Sequence, residues 1–165
     1  MKKSPAVALY PGTFDPITNG HVDLVTRAAD FFHEVVVAVS ETTIKNPILP
    51  LEKRIELAEL ALASISNVRV CGFGGLVSDF AGRLGVRVML RGVRSVSDFE
   101  NEFQRANINR TLSPGLETIL MLPGKGLAHV SSSLVREVIS AGGDVGQFVP
   151  LAVKIALNEK FKKTS

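Results

Sequence analysis

His21, Lys45, Arg91, Arg94 and the triple serine Ser131-Ser132-Ser133 are the side chains of this sequence whose types and settings suit work on phosphate groups. Arginine can grip a phosphate through two parallel N–H groups, lysine supplies a point charge, and imidazole changes protonation near neutral pH. The most informative setting is Tyr10-Pro11-Gly12-Thr13-Phe14-Asp15-Pro16-Ile17-Thr18-Asn19-Gly20-His21. It joins the apolar run Ala6 to Tyr10, of strand length, to Val22 to Ala29, which carries the spacing of a helix face. The segment therefore reads as a loop between a strand and a helix, with two prolines and two glycines fixing its path. Gly12 has no Cβ to hold a ligand off the backbone. The helix start at Thr18 to His21 leaves unpaired N–H groups at the positive end of the macrodipole, where phosphate is stabilised. Taken singly, Pro-Gly and Asn-Gly are turn dipeptides and a lone histidine is more often structural.

The remaining elements must bring the other candidates to the same place. Val35 to Val39 is a β-branched run of strand length, and two such runs around a crossover helix make a parallel pair. The polar segment Ser40 to Pro50 carries Lys45. Ile55, Ala58, Leu62 and Ile65 recur at helical spacing after Leu51. Val68 to Cys71 is the third strand, followed by Gly72 to Gly75 and a helix from Leu76 to Leu84 that Gly85 ends. Val86 to Arg91 is the fourth strand. Ser97-Asp98 then caps a helix from about Phe99 to Leu112. Thr118 to Leu122 is the fifth strand, Pro123 to Gly126 a turn, and Ser131 to Ser133 cap Leu134 to Ala141. Pro150 stands where the first turn of a last helix accepts proline. This alternation predicts an α/β class fold, a Rossmann-like, doubly wound, five-stranded parallel sheet with helices on both faces. In such sheets ligands bind outside the carboxyl ends of the strands, near the point where strand order reverses. The first loop, Lys45, Gly72 to Gly75, Arg91 to Arg94 and Lys125 to Ser133 all fall on that edge.

Composition narrows the class further. The 165 residues, 45% of them hydrophobic, are enough for one domain, residues 1–165, with its own core. The formal net charge is only +3 and its excess is local, in Arg87, Arg91, Arg94 and the tail lysines 160, 162 and 163. That suits a pocket for a small polyanion better than a nucleic-acid-binding face. No apolar run is long enough to span a bilayer, and no signal peptide is expected after Lys2-Lys3. Cys71, the single cysteine, excludes an internal disulfide and a cysteine-built zinc site, so a reducing cytoplasm fits and Cys71 reads as a small hydrophobe.

Two nucleotide signatures fail. The G-x-G-x-x-G fingerprint is broken because Val77 stands where its third glycine belongs after Gly72-Phe73-Gly74. A P-loop is broken because Ile119 stands where the leading glycine before Gly124-Lys125 belongs. What remains is Thr18-Asn19-Gly20-His21 on one helix start and the triple serine on another. Together with Tyr10 to Pro16, the first of these resembles the T/H-x-G-H signature of the nucleotidyltransferase superfamily. Arg91-Gly92-Val93-Arg94 with Asp98-Phe99-Glu100 and Glu102, and Val130 to Glu137, resemble the phosphopantetheine adenylyltransferase family over essentially the whole chain.

The resemblance implies transfer of an adenylyl group from MgATP to 4′-phosphopantetheine, giving dephospho-coenzyme A and pyrophosphate. It implies nucleotide contacts at Thr13, Phe14, His21, Gly92, Val93, Arg94, Glu102, Leu127, Ala128, His129, Val130, Ser131, Ser132 and Ser133. It also implies acceptor contacts at Thr13, Lys45, Leu76, Val77 and Arg91. His21 and Lys45 take the catalytic positions. The acceptor phosphate is already an anion able to attack the α-phosphorus in line, so no protein nucleophile is needed, and positioning and charge neutralisation do the work. Magnesium would ride on phosphate oxygens and water with few protein ligands. A homohexamer and inhibition by coenzyme A are implied too, with no nucleic acid or membrane partner. Duller alternatives stand beside each role: Lys45 solvated in its loop, Arg91 and Arg94 paired with Asp98, Glu100 or Glu102, and the serines acting only as caps. Another nucleotidyltransferase, acting on nicotinamide mononucleotide or glycerol phosphate, and a non-catalytic nucleotide-binding module are the competing readings. Leu127-Ala128-His129 and Asn101 depart from the family pattern, in which aromatic residues are common at or near these places.

Overall fold

The computed structural model describes residues 4–41 and 47–162. In chain order these form β1 (Ser4–Gly12), α1 (Asn19–Phe31), β2 (Phe32–Ser40), α2 (Leu51–Leu62), β3 (Val68–Phe73) and α3 (Val77–Arg83). They continue as β4 (Val88–Gly92), α4 (Val96–Leu112), β5 (Glu117–Met121), α5 (Ser132–Ser140) and α6 (Leu151–Lys162). The five strands make one parallel sheet in the order β3-β2-β1-β4-β5. The β-branched runs read as strands are strands, and the alternating helices cover both faces, so the doubly wound architecture is the one observed.

Strand alternation divides the core in two. Ala8, Tyr10, Val35, Val37, Val39 and Leu90 face one way, against residues of α1, α2, α5 and α6. Leu9, Val36, Ala38 and Met89 face the other way, against Ala81 and the rest of α3. Residues two apart on a strand share a face, so a run such as Val35 to Val39 must be apolar throughout to serve both layers.

Element ends moved by a few residues, each for a local reason. Ser95, not Ser97-Asp98, caps α4: its side chain accepts from the backbone N–H of Asp98, so the helix begins at Val96. Ser131 alone caps α5, accepting from Leu134 N–H. Gly85, at φ +65°, follows α3 as expected. Pro150 lies just ahead of α6 and its carbonyl accepts from Lys154 N–H at 3.0 Å. The first strand also runs two residues further than its apolar stretch, through Pro11 and Gly12, pairing with β2 as far as Gly12↔Val39. Proline is excluded from fully paired strand interiors. Pro11 is tolerated because pairing of β1 with β4 covers only Ala8↔Val88 and Leu9↔Met89 and has ended before it is reached.

Candidate active site

That early parting of β1 and β4 is the reversal point of the sheet. To one side the chain proceeds to β2 and β3, to the other to β4 and β5, and a crevice opens at the carboxyl ends between them. The Arg91 side chain crosses it, donating from Nη1 to the Pro11 carbonyl at 2.6 Å.

The first loop forms one wall and is held by side chains from distant elements. Arg54 of α2, 2% exposed, donates from Nη1 to the Thr13 carbonyl (2.7 Å) and the Ser40 carbonyl (2.9 Å), and from Nε to the Leu49 carbonyl (3.0 Å). The buried Asp15 carboxylate accepts from the backbone N–H groups of Ile48 and Leu49 at 2.9 and 3.0 Å. From α5, Arg136 donates to the Asp15 carbonyl at 2.7 Å and Ser132 Oγ to the Pro16 carbonyl at 2.8 Å. These ties hold Phe14 at φ +48°, a left-handed conformation that costs an L-residue about 1–2 kcal/mol. Gly12 turns out to serve this loop: a Cβ there would lie 3.0 Å from the Phe14 ring, so the space expected to admit a ligand is filled by that ring.

His21 closes a capping box at the start of α1. The Thr18 side chain accepts from His21 N–H, and the Thr18 backbone N–H donates to His21 Nδ1 at 3.0 Å. An Nδ1 that accepts a hydrogen bond carries no proton, so the neutral ring bears its hydrogen on Nε2. Desolvation first, then the charges of Arg94 and Arg91, bring the His21 pKa down to about 4. The Phe14 ring meets it edge-on, centroids 5.1 Å apart. His21 is thus a neutral donor at working pH, with no acceptor for Nε2–H among the described residues.

The opposite wall comes from the loops after β4 and β5. Arg91 is locked in a two-bond fork to Glu102 (2.7 and 2.8 Å), the only buried residue of α4. Burial works to lower the Arg91 pKa, but the bond and charge of Glu102, with Tyr10 and Asp98, outweigh it and raise it. Arg94 pairs with Asp98 at 3.0 Å and reaches the Val130 carbonyl at 3.4 Å, joining the two loops. The loop after β5 is in turn fixed to α1, where Asp23 accepts from Gly124 N–H at 3.0 Å and Arg27 donates to the Leu122 carbonyl at 2.7 Å.

The expected site residues therefore gather unequally. Thr13, Phe14, His21, Arg91, Arg94, Glu102 and Val130 to Ser133 ring one crevice through the bonds just given, and a Cβ on Gly20 would come within 4.0 Å of the Leu127 and Val130 carbonyls. Val93 is buried there, its N–H donating to the Met121 carbonyl, while Gly92 packs under Leu24. Ala128 and His129 are exposed, and the His129 ring stands edge-on to Phe148 at 6.1 Å. Leu76 and Val77 lie at the start of α3 after β3, two strands from β1, and no hydrogen bond ties them to His21. Lys45 lies outside the described residues. Only Ser131 of the serines is a cap; Ser132 holds the first loop and Ser133 Oγ accepts from Arg136. Asp15 and Arg136 lie inside the motifs singled out from the sequence but had no role assigned there, and Arg54 was not singled out. For Arg54 a signal existed, since it falls three and four residues before the buried Leu57 and Ala58, a charge on an apolar helix face.

A crevice lined by N–H donors at the reversal point of a five-stranded parallel sheet, with a histidine closing the cap of its first helix, is the setting in which comparison with known proteins places a nucleotidyltransferase. The family model described as cytidylyltransferase-like matches residues 9–138. A Vibrio parahaemolyticus crystal structure, provisionally assigned as a nicotinate-nucleotide adenylyltransferase, has the same fold at a TM-score of 0.71 over 98% of both chains, with 15% identity. Two curated sequences named phosphopantetheine adenylyltransferase, from Xylella fastidiosa strains M23 and 9a5c, are each 52% identical over 93% of this chain and 94% of their own length. The chain belongs to the phosphopantetheine adenylyltransferase family and is an enzyme of the nucleotidyltransferase class.

Proposed function

We propose that the crevice between β1 and β4 transfers an adenylyl group from ATP to 4′-phosphopantetheine, forming dephospho-coenzyme A and releasing pyrophosphate, a step of coenzyme A biosynthesis. The observation that carries this mechanism is the Thr18–His21 capping box, which fixes a neutral imidazole with its proton on Nε2 beside two guanidinium groups. His21 Nε2–H donates to the α-phosphate as charge accumulates there, and Lys45 with Arg91 neutralises the attacking phosphate. One such preorganised donor is worth ~3–4 kcal/mol of barrier. Thr13, exposed at the rim, meets the acceptor phosphate, and Leu76 and Val77 line the path of the pantetheine arm. Phe14, Gly92, Val93, Arg94, Glu102 and Leu127 to Ser133 hold the nucleotide. Glu102 also aims Arg91 at the acceptor phosphate.

Asp15, Asp23, Asp98 and Glu102, the carboxylates that tie the rim together, are each engaged by N–H donors. Magnesium bound with the triphosphate would therefore take few ligands from these carboxylates, and would supply neutralisation of phosphate charge. Residues 1–165 act as one catalytic domain. The exposed Phe99, Phe103, Ile108 and Leu112 on α4 support self-association, for which the family resemblance suggests a homohexamer, and coenzyme A, which shares the phosphopantetheine arm, inhibits at the same crevice. The free thiol of Cys71 suits the cytoplasm. No helix among the described residues is long and apolar enough to cross a membrane.

The deciding experiment is pyrophosphate release with magnesium over a substrate panel. Phosphopantetheine with ATP is expected to react, and nicotinamide mononucleotide with ATP, or glycerol phosphate with CTP, to stay near background. Binding of ATP with no pyrophosphate from any acceptor would leave a nucleotide-binding module instead. Sedimentation of the same sample reads the assembly.

A further inference from the structure

Tyr10 is the one tyrosine of the chain and no role above uses it. It stands on β1 one residue past the last pairing with β4, at Leu9, and is 5% exposed. Its ring is fixed edge-on to Phe14, with centroids 5.4 Å apart at 78°, and lies 6.3 Å from the His21 ring. Its hydroxyl reaches across to β4, 4.0 Å from the position a Cβ on Gly92 would take. The charges of Arg91, Arg94 and Glu102 all act on it. Buried phenols nearly always find a hydrogen-bond partner. This hydroxyl has none among the described residues. Nor is it fully sealed from solvent, since Ser78 Oγ is the only side-chain polar atom among the described residues that is both sealed and unpartnered, and the charged groups that act on the phenol are those of the crevice.

We infer that the Tyr10 hydroxyl is a further ligand contact, donating its hydrogen bond to a phosphate oxygen of the nucleotide held between β1 and β4. The inference rests on the adenylyl-transfer reading and adds a residue to it. Phosphate is the partner because the guanidinium groups of Arg91 and Arg94 and the imidazole of His21 around the same space are donors, and the one carboxylate there, Glu102, has both oxygens taken by Arg91. A phosphate oxygen only accepts, whereas ribose hydroxyls and the adenine amine also donate and would need an acceptor left free. Burial raises the Tyr10 pKa to about 12, with Arg91 and Arg94 opposing it, so the phenol stays protonated and donates at any working pH. Together with neutral His21 it supplies a donor without adding charge. The large aromatic body is also what the spot requires, since Phe14 and the apolar core face need a ring to pack on.

The test is Tyr10→Phe, which removes the hydroxyl and keeps the ring. Because that hydroxyl binds none of the described residues, the variant is expected to melt with the wild type, while kcat for pyrophosphate release from ATP and phosphopantetheine falls about tenfold, the size of one lost neutral donor. The KM for phosphopantetheine should stay unchanged. Wild-type kcat and ATP KM in the variant would overturn the inference. So would a penalty that vanishes with 2′-deoxy-ATP or 3′-deoxy-ATP, which would give the hydroxyl to the ribose, or a lowered melting temperature that tracks the activity loss. Absence of pyrophosphate from the wild type itself would instead strike the adenylyl-transfer reading, so the two failures are separable.

Discussion

Residues 12–18 and helix α4 both end at the crevice, and they are supported in opposite ways. The first loop is buried from Phe14 to Thr18, and the carbonyls of Thr13, Asp15 and Pro16 are each taken by a side chain from another element. Helix α4 is seventeen residues long and buries only Glu102. Phe103 is 58% exposed and stacks on Phe99 at the surface, with Ile108 and Leu112 beyond. The loop that leads into His21 is therefore preorganised within the chain, at the cost of a left-handed Phe14. The arm that aims Arg91 is fastened by ion pairs, Glu102 to Arg91, Asp98 to Arg94 and Arg110 to Glu117, and presents an apolar face that no described residue covers. Positioning chemistry demands the first kind of support, because a donor set in advance pays no reorganisation during the reaction.

The contrast can be broken most severely at its rigid end. His21→Ala should lower kcat by at least about a hundredfold with little change in ATP affinity, the pattern of a contact made mainly in the transition state. Because the ring also closes the capping box, stability should fall by about 1 kcal/mol. Equal losses in binding and turnover would mean that the imidazole only holds ATP. Arg54→Met should come next. It strips the Thr13, Ser40 and Leu49 carbonyls of their donor and should cost about 2–4 kcal/mol in denaturant unfolding, with a fall in kcat that Arg54→Lys restores in part. A variant as stable and active as the wild type would show that the loop holds itself.

At the looser end, Arg91→Ala should raise the phosphopantetheine KM about tenfold or more while leaving the fold intact, and an unchanged KM would remove Arg91 from the acceptor site. Titration sharpens the comparison more gently. The folded His21 pKa of about 4 lies below its ordinary 6.5, so the unfolded chain binds its proton first. Its contribution is full above about pH 6.5 and is lost as pH falls toward about 4, which melts of wild type and His21→Ala over that window would read as a shrinking difference. The smallest effect on a single chain belongs to Phe103→Ser, expected within about 0.5 kcal/mol because the ring is exposed, yet reducing self-association in sedimentation. A large loss of chain stability would mean that α4 packs more firmly than its exposure implies.

Much of the rim was legible before any coordinates. The β-branched runs and the loops between them could only alternate as they do, and Thr18 with His21 three residues on is a local pattern that a helix start explains. Ser95, Ser97 and Asp98 are all good caps within four residues, however, and only the extended backbone of Ser95 decided among them. Arg91 and Arg94 had Asp98, Glu100 and Glu102 as rival partners. The fold gave Glu102 to Arg91 and Asp98 to Arg94. Gly12 was read as room for a ligand, because the neighbour that fills the room, Phe14, reaches it only through a left-handed turn.

By itself the sequence determined the order and kind of the elements, and that their polar loops meet at one edge of the sheet, since periodicity and turn chemistry act over a few residues. Tertiary structure decided the rest. Which nitrogen of His21 carries the proton depends on a neighbouring N–H. That Arg54 is a clasp and not a surface charge depends on three carbonyls, from Thr13, Ser40 and Leu49, closing over it. Whether an apolar side chain on α4 is core or surface depends on what lies across from it. Burial and hydrogen-bond partnership belong to groups far apart in the chain, so no local pattern of residues could contain them.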